Sequence, residues 1–294
     1  MKYLTIPITA PLEGRSVRSV LLREGQMAAS YISALKFREA GILLNSQPVR
    51  TVDAVREGDV LAARIDDEGG GNPAEPMEAP LRFVWEDEYL AVLDKRPGMA
   101  VHGSLRGGEC TVANALAYLW GSDQSFHPVN RLDRGTSGLM LIAKSAYVHD
   151  RLRRALHTDG LHREYLALTE GPLCPEASVI TLPIGPDEGT RRRIDPAGQS
   201  AETEYAQLSC REGVALVRCV LRTGRTHQIR VHLSAIGHPL LGDELYGGAP
   251  RPGLSRPALH SCLLRFTHPV TGEVVECSSP LPQDLAEIWD GVGL

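Results

Sequence analysis

Over the first 65 residues, apolar side chains recur twice at helical spacing, through Val17, Val20 and Leu21 and again through Ile32, Leu35 and Phe37. The pattern predicts two helices, the second capped by Ser30 and ended by Gly41. A pair of strands, ILLNSQPVR and GDVLAARI, then follows around a polar turn. The run DDEGGGNPAEPMEAP, Asp66 to Pro80, has too few apolar residues to pack and predicts a linker, dividing the chain into 1–65, 66–80 and 81–294.

Beyond it, LRFVWEDEYLAVLDKRPGMAVH predicts two strands meeting at an acidic turn and stopped by a proline-glycine break. The loop HPVNRLDRGTSG feeds the apolar run LMLIA, a buried strand, after which Ser145 is placed to cap a helix AYVHDRLRRALH. Alternation in REYLALTEG predicts a strand with Tyr165 and Ala167 on one side. AETEYAQLSC and VALVRCVL predict further strands. A strand ends at Thr223-Gly224, and a helix is expected from about Thr226 to Gly237. On it Ile229 and Leu233 form a face that can bury itself, while His227 and Arg230 share a polar one.

Composition narrows the class. With 29 Gly and 20 Pro against 4 Phe, turns are plentiful and an all-helical bundle is disfavoured. A formal net charge of -5 means that the chain is no polycation, so local basic patches must select any nucleic-acid partner. The 6 cysteines stand singly with no CxxC, which fits a reduced cytoplasm better than a disulfide scaffold. No stretch has signal-peptide or membrane-span character, so a soluble cytoplasmic protein, with monomer as the starting expectation, is the reading. There is no HExxH, His227 and His232 have the wrong spacing for a one-face metal pair, and no GxxxxGK[ST] loop is present; neither metal nor cofactor is expected.

Asp133 is the candidate for chemistry. It lies in a loop before a buried strand, between Arg131 and Arg134, and small residues after it leave room for a ligand near the backbone. A single loop carboxylate is more often a turn former, so its neighbours elsewhere in the chain must carry the assignment.

Taken in order, RLDRGTSG, REYLALTEG, TGRTHQIRVHLSAIGHPLLGDELYG and FTHPVTGE resemble the RluA family of pseudouridine synthases, from about Leu81 to the C-terminus. The front segment, with EAGILLNSQPV and VREGDVL, resembles the S-four-like RNA-binding domain. The resemblance implies an α+β protein of the pseudouridine synthase fold, a mixed and mostly antiparallel sheet with flanking helices and a cleft across its middle, preceded by a small S-four-like α/β RNA-binding domain. It implies an isomerase acting on specific uridines in structured rRNA or tRNA. Asp133 matches the family's catalytic aspartate, Tyr165 its active-site tyrosine, and Arg225 the arginine that pairs with the aspartate. RNA contacts are expected from Arg131, Arg134, Arg163, His227, Arg230 and the Arg191–Arg193 run, and in the front domain from Lys36 and Arg38 with Arg18 and Arg23. Two positions depart from the family: Asn130 stands where histidine is usual, and Arg163 where lysine is often found.

The reaction breaks a carbon–nitrogen glycosidic bond, turns the base and rejoins it through carbon 5. Nothing is oxidised or hydrolysed, and no cofactor is needed. A carboxylate can act as covalent nucleophile if it stays ionised, which an arginine within a few ångströms favours. Tyr165 is expected to stack on the uracil and to assist proton transfer. The target nucleotide must leave its stack at a cost of roughly a few kcal/mol, offset by basic residues on flanking phosphates. The alternative is a catalytically silent RNA-binding protein of the same fold, against which the Asp133, Tyr165 and Arg225 set argues.

Overall fold

The computed structural model describes all of the chain except residues 68–70, 104–107, 157, 159 and 293–294. The front segment comprises β1 (Tyr3–Pro7), α1 (Val17–Arg23), α2 (Ala29–Leu35), β2 (Ile42–Leu44), β3 (Gln47–Pro48) and β4 (Val60–Arg64), with its strands in the order β1-β4-β2-β3. Val17, Val20 and Leu21 of α1 bury one stripe, and Ser16 caps the helix by accepting from the Ser19 amide at 3.3 Å. α2 differs from the expected helix. Its N-cap is Ala28 and it ends at Leu35, because Ile32 and Leu35 already complete its buried stripe. Phe37 lies beyond the end and is 91% exposed. Gly41 is needed for a different reason, since a Cβ there would overlap the Leu35 carbonyl.

The remainder is built on one ten-stranded sheet. Its elements are β5 (Arg82–Glu86), β6 (Leu90–Lys95), α3 (Val112–Trp120), β7 (His127–Pro128), β8 (Ser137–Ala143), α4 (Ala146–Ala155), β9 (Leu161–Glu170) and β10 (Ala177–Ile180). A separate hairpin of β11 (Ile184–Pro186) and β12 (Arg192–Ile194) follows, and then β13 (Thr203–Arg211), β14 (Val214–Leu221), α5 (Gln228–Ala235), β15 (Leu259–Thr267), β16 (Val274–Ser278) and α6 (Gln283–Gly291). The order is β10-β13-β14-β9-β15-β8-β6-β5, with β16 on β15 and β7 on β8. Every pairing among the described residues is antiparallel except β15 with β8. Gly138 permits that parallel contact, because a Cβ on it would run into the Ser261 backbone.

All seven residues of β8 are buried, because both faces of the sheet are covered. Leu139, Leu141 and Ala143 pack with α4 residues Tyr147, Val148 and Leu152 on one face, and Met140 and Ile142 with Leu116, Ile229 and Leu233 on the other. The first of these cores runs on into Val20, Leu21, Ile32 and Leu35, so the front segment shares a hydrophobic interior with the sheet. Tyr147 seals the join by donating its hydroxyl to the Gly25 carbonyl at 2.9 Å.

The expected linker does pack, though by polar contacts. Asn72 is buried and donates to the Ala113 carbonyl at 2.6 Å, while Asn114 donates to the Glu75 carbonyl at 2.7 Å, tying the strap to α3. Asp67 lies 2.8 Å from His127 Nε2 and accepts from the first amide of α4 at 2.9 Å. Apolar count alone therefore misjudged it. Residues 68–70 of that segment, and His157 at the expected end of α4, lie outside the described residues. Among the described residues no helix is long and apolar enough to cross a membrane.

Candidate active site

Asp133 occupies a tight turn, closed by the Thr136 amide donating to its carbonyl at 3.1 Å. Two buried cations hold the rest of the turn by its backbone. Lys95, 1% exposed, donates to the carbonyls of Arg96, Met99 and Arg134. Arg256 donates to the Gly135 carbonyl at 3.2 Å and is itself forked by Asp284 of α6 at 2.7 and 2.8 Å. Burial pulls the Lys95 ammonium down to about 7, with Asp133 opposing the shift. Asn130 fixes the other side of the loop: its Oδ1 accepts from the Leu141 amide at 2.7 Å and its Nδ2 donates to the Leu139 carbonyl at 3.3 Å. That accounts for an amide side chain at the position, since one residue must offer both an acceptor and a donor to β8.

On β9 the alternation sends Arg163, Tyr165 and Ala167 to one buried face, with Tyr165 opposite Ser261 of β15 and Cys219 of β14. Arg163 donates to the Leu221 carbonyl at 3.2 Å. Burial raises the Tyr165 hydroxyl above its ordinary range and the neighbouring Arg163 charge only partly offsets this, so the side chain is a neutral phenol.

The segment from Thr223 to Arg230 supplies the third side. α5 begins at Gln228, two residues after the expected start, and ends in a Schellman arrangement: the His238 amide donates to the Leu233 carbonyl at 2.9 Å, the Gly237 amide to Ser234 at 3.0 Å, and Gly237 has φ 88°. Gln228 is fully committed. Its oxygen accepts from the Arg225 amide and the Thr223 hydroxyl, and its nitrogen donates to the Glu202 carbonyl and the Thr203 hydroxyl. His227 is not on the helix but caps it in the left-handed region at φ 59°. It and Arg230 nevertheless converge on the same oxygen.

Arg230, not Arg225, pairs with Asp133. Arg230 Nη1 is 3.4 Å and His227 Nε2 3.8 Å from Asp133 Oδ2. Arg225 donates from Nε to the Ser200 carbonyl at 3.0 Å, held aside by the turn that Gln228 fixes. Arg230 is buried and bound by Asp243 through two hydrogen bonds of 2.7 and 2.8 Å. Burial works against its charge, but Asp243 and then Asp133 outweigh burial and hold the guanidinium above its ordinary range. It is not the solvent-facing phosphate contact that helical periodicity suggested.

Beside these groups lies a cleft of about 550 Å³ lined by Asp133 and Tyr165 together with Arg131, Arg153, Arg163 and Arg225, four arginines against one carboxylate. An acidic chain thus carries a basic cleft. Arg131, Gly224 and Arg225 continue into a second groove of about 480 Å³ that reaches Arg192. Arg134 points elsewhere and pairs with Glu109. In the front segment Arg18, Arg23 and Lys36 are exposed, while Arg38 donates to the Asp66 carbonyl at 3.0 Å and lies over the Tyr31 ring. Among the described residues no group of His, Cys, Asp and Glu is arranged to hold a metal ion. Lys95, Gln228, Asp243, Tyr246 and Arg256 were not singled out from sequence; a buried charge or amide in a polar turn looks like any solvated one until its distant partner is known.

Comparison with known proteins agrees with this architecture. The model of the RNA pseudouridylate synthase family matches residues 89–235, half of the chain. An uncharacterized RNA pseudouridine synthase, YjbO of Bacillus subtilis, is 35% identical over 88% of this chain and 93% of its own. Ribosomal large subunit pseudouridine synthase D of Pasteurella multocida is 36% identical over 79% of this chain and 76% of its own. The solved structure of human RNA pseudouridylate synthase domain containing 4 superposes with a TM-score of 0.59 at 25% identity, covering 72% of this chain and 92% of that one. With the specific motifs now gathered around one cleft, the chain belongs to the RNA pseudouridylate synthase family.

Proposed function

We propose that this chain converts uridines in structured RNA to pseudouridine with Asp133 as the nucleophile. The observation that carries the reading is the Asp133 carboxylate, 3.4 Å from the buried Arg230 guanidinium, lining the same basic cleft as Tyr165. An extruded nucleotide enters between Tyr165 and Asp133, and Arg131 and Arg225 neutralise phosphates around it, with the buried Arg163 adding charge to the cleft wall. The carboxylate forms a transient bond that allows the C1′–N1 bond to break. The base turns, C1′ joins C5, the bond to the carboxylate is released, the C5 proton leaves and N1 gains a proton, so the net change is an isomerisation. Tyr165 supplies the wall against which the ring stacks, and the Arg230 guanidinium holds the attacking oxygen in place.

Relatives named for the ribosomal large subunit make ribosomal RNA the first substrate to test, with transfer RNA second. Residues 1–65 act as an S-four-like RNA-binding domain whose exposed Arg18, Arg23 and Lys36 add phosphate contacts. The free cysteines among the described residues fit a reducing cytoplasm. Incubating the chain with large-subunit ribosomal RNA and transfer RNA carrying 5-tritiated uridine tests the reading. Tritium release with pseudouridine in the digest supports it; no release from either RNA contradicts it.

A further inference from the structure

The hydroxyl of Tyr246 sits where three segments meet. It accepts from the Arg192 amide at 2.9 Å and lies 2.8 Å from His227 Nδ1, with the two rings edge to face at 5.6 Å. The Arg230 guanidinium lies 4.9 Å from the centre of the tyrosine ring. A phenol has one proton to give, and the amide can only donate to it. Burial keeps the Tyr246 hydroxyl protonated. Burial also lowers His227, only partly opposed by Asp133; the charged groups facing the imidazole are Asp133, Arg230, Asp243 and Arg192, two acids and two bases, so the ring is neutral near pH 7.

A neutral imidazole then has two ways to fill the site. With the proton on Nδ1, that nitrogen would donate to a tyrosine oxygen that already accepts from Arg192. The tyrosine proton would lose its partner, and the bare Nε2 lone pair would face Asp133 Oδ2 at 3.8 Å. With the proton on Nε2, Tyr246 donates to Nδ1 and the imidazole N–H points to the carboxylate. Only the second arrangement gives the tyrosine proton an acceptor and turns the bare nitrogen lone pair away from the carboxylate. His227 is itself held at φ 59°, a conformation uncommon outside glycine that persists where surrounding contacts over-determine it.

We infer that Tyr246 is a positioning residue that locks His227 in its Nε2–H tautomer, aiming a neutral imidazole N–H at Asp133 from 3.8 Å, beside Arg230. The nucleophile then faces one charged donor at 3.4 Å, Arg230, and one neutral N–H at 3.8 Å. The neutral one leaves no uncompensated charge when the carboxylate loses its own. The effect on turnover rests on the reaction proposed above; the tautomer does not.

Nitrogen-15 NMR of histidine-labelled protein, with the His227 signals identified by their loss in His227→Gln, reads the tautomer directly. The wild type is expected to show an unprotonated Nδ1 and a protonated Nε2 near pH 7.5, and Tyr246→Phe a mixture. Tritium release at saturating RNA should fall about tenfold in Tyr246→Phe, the worth of one hydrogen bond at this site, with KM changed less than about threefold. In the His227→Gln background the same substitution should cost nothing further. A wild-type His227 protonated at Nδ1, a Tyr246→Phe protein with unchanged tautomer and rate, or additive losses in the double variant would each overturn the inference. If Tyr246→Phe does not fold, the wild-type spectrum alone decides. A wild type that releases no tritium but shows the Nε2–H tautomer would sink the proposed reaction and leave the tautomer assignment standing.

Discussion

Asp243 holds Arg230 in a two-pronged grip of 2.7 and 2.8 Å while the remaining nitrogen of the guanidinium reaches Asp133. Both partners of this grip are buried, and the arginine is thereby compensated before substrate arrives. Removing Asp243 leaves a buried cation with only Asp133 to answer it. Asp243→Ala should destabilise the chain by roughly 3–5 kcal/mol in urea unfolding. It should also lower tritium release more than RNA affinity.

The two arginines of the GRTHQIR segment should separate by kinetics. Arg230→Ala is expected to lower kcat by at least about a hundredfold with little change in RNA binding, because it acts on the nucleophile. Arg225→Ala should mainly raise KM and flatten the salt dependence of binding, because it lines the cleft without touching Asp133. Single-turnover rates with filter binding over a salt series distinguish the pair, and the reverse pattern would restore the sequence-based assignment.

Lys95 gives the protein a pH signature. Its folded value of about 7 lies below the ordinary 10.5, so between these limits the unfolded chain binds more protons than the folded one. Its contribution therefore makes stability rise with pH through that window, is complete above about 10.5 and is lost as pH falls to about 7. Lys95→Met should remove a slope of at most about 1.4 kcal/mol per pH unit from the urea-derived stability between pH 7.5 and 9.5. Equal slopes in both proteins would contradict it.

Asn130 should behave as a structural clip. Asn130→Ala strands the buried Leu141 amide, which is expected to cost about 1–3 kcal/mol and to loosen the turn that carries Asp133. Amide hydrogen exchange at Leu141 should accelerate relative to the neighbouring strand residues; unchanged protection there would show that water or another group replaces the clip.

Much of the architecture was legible because it is local. VALVRCVL became β14 over the same eight residues, LMLIA fell inside β8, and Gly237 ended α5 as a helix-stopping glycine should. The errors came where distant partners decide. The second front helix started at Ala29 because its buried stripe, and not Ser30, sets its start. The strap after residue 65 packs through Asn72 and Asp67, whose partners lie 41 and 60 residues away. Arg225 and Arg230 are five residues apart in one motif, and nothing in that spacing says which reaches Asp133. Asp243 and Gln228 decide it, by holding one arginine in and the other aside.

Substitution of Asp133 tests the central claim most directly. Asp133→Asn keeps the shape of the side chain and a neutral contact to Arg230 but removes the negative oxygen. With 5-tritiated ribosomal RNA under single-turnover conditions, the variant is expected to form no pseudouridine while binding that RNA within about threefold of the wild type. Pseudouridine formation at an appreciable fraction of the wild-type rate would contradict the assignment of Asp133 as nucleophile.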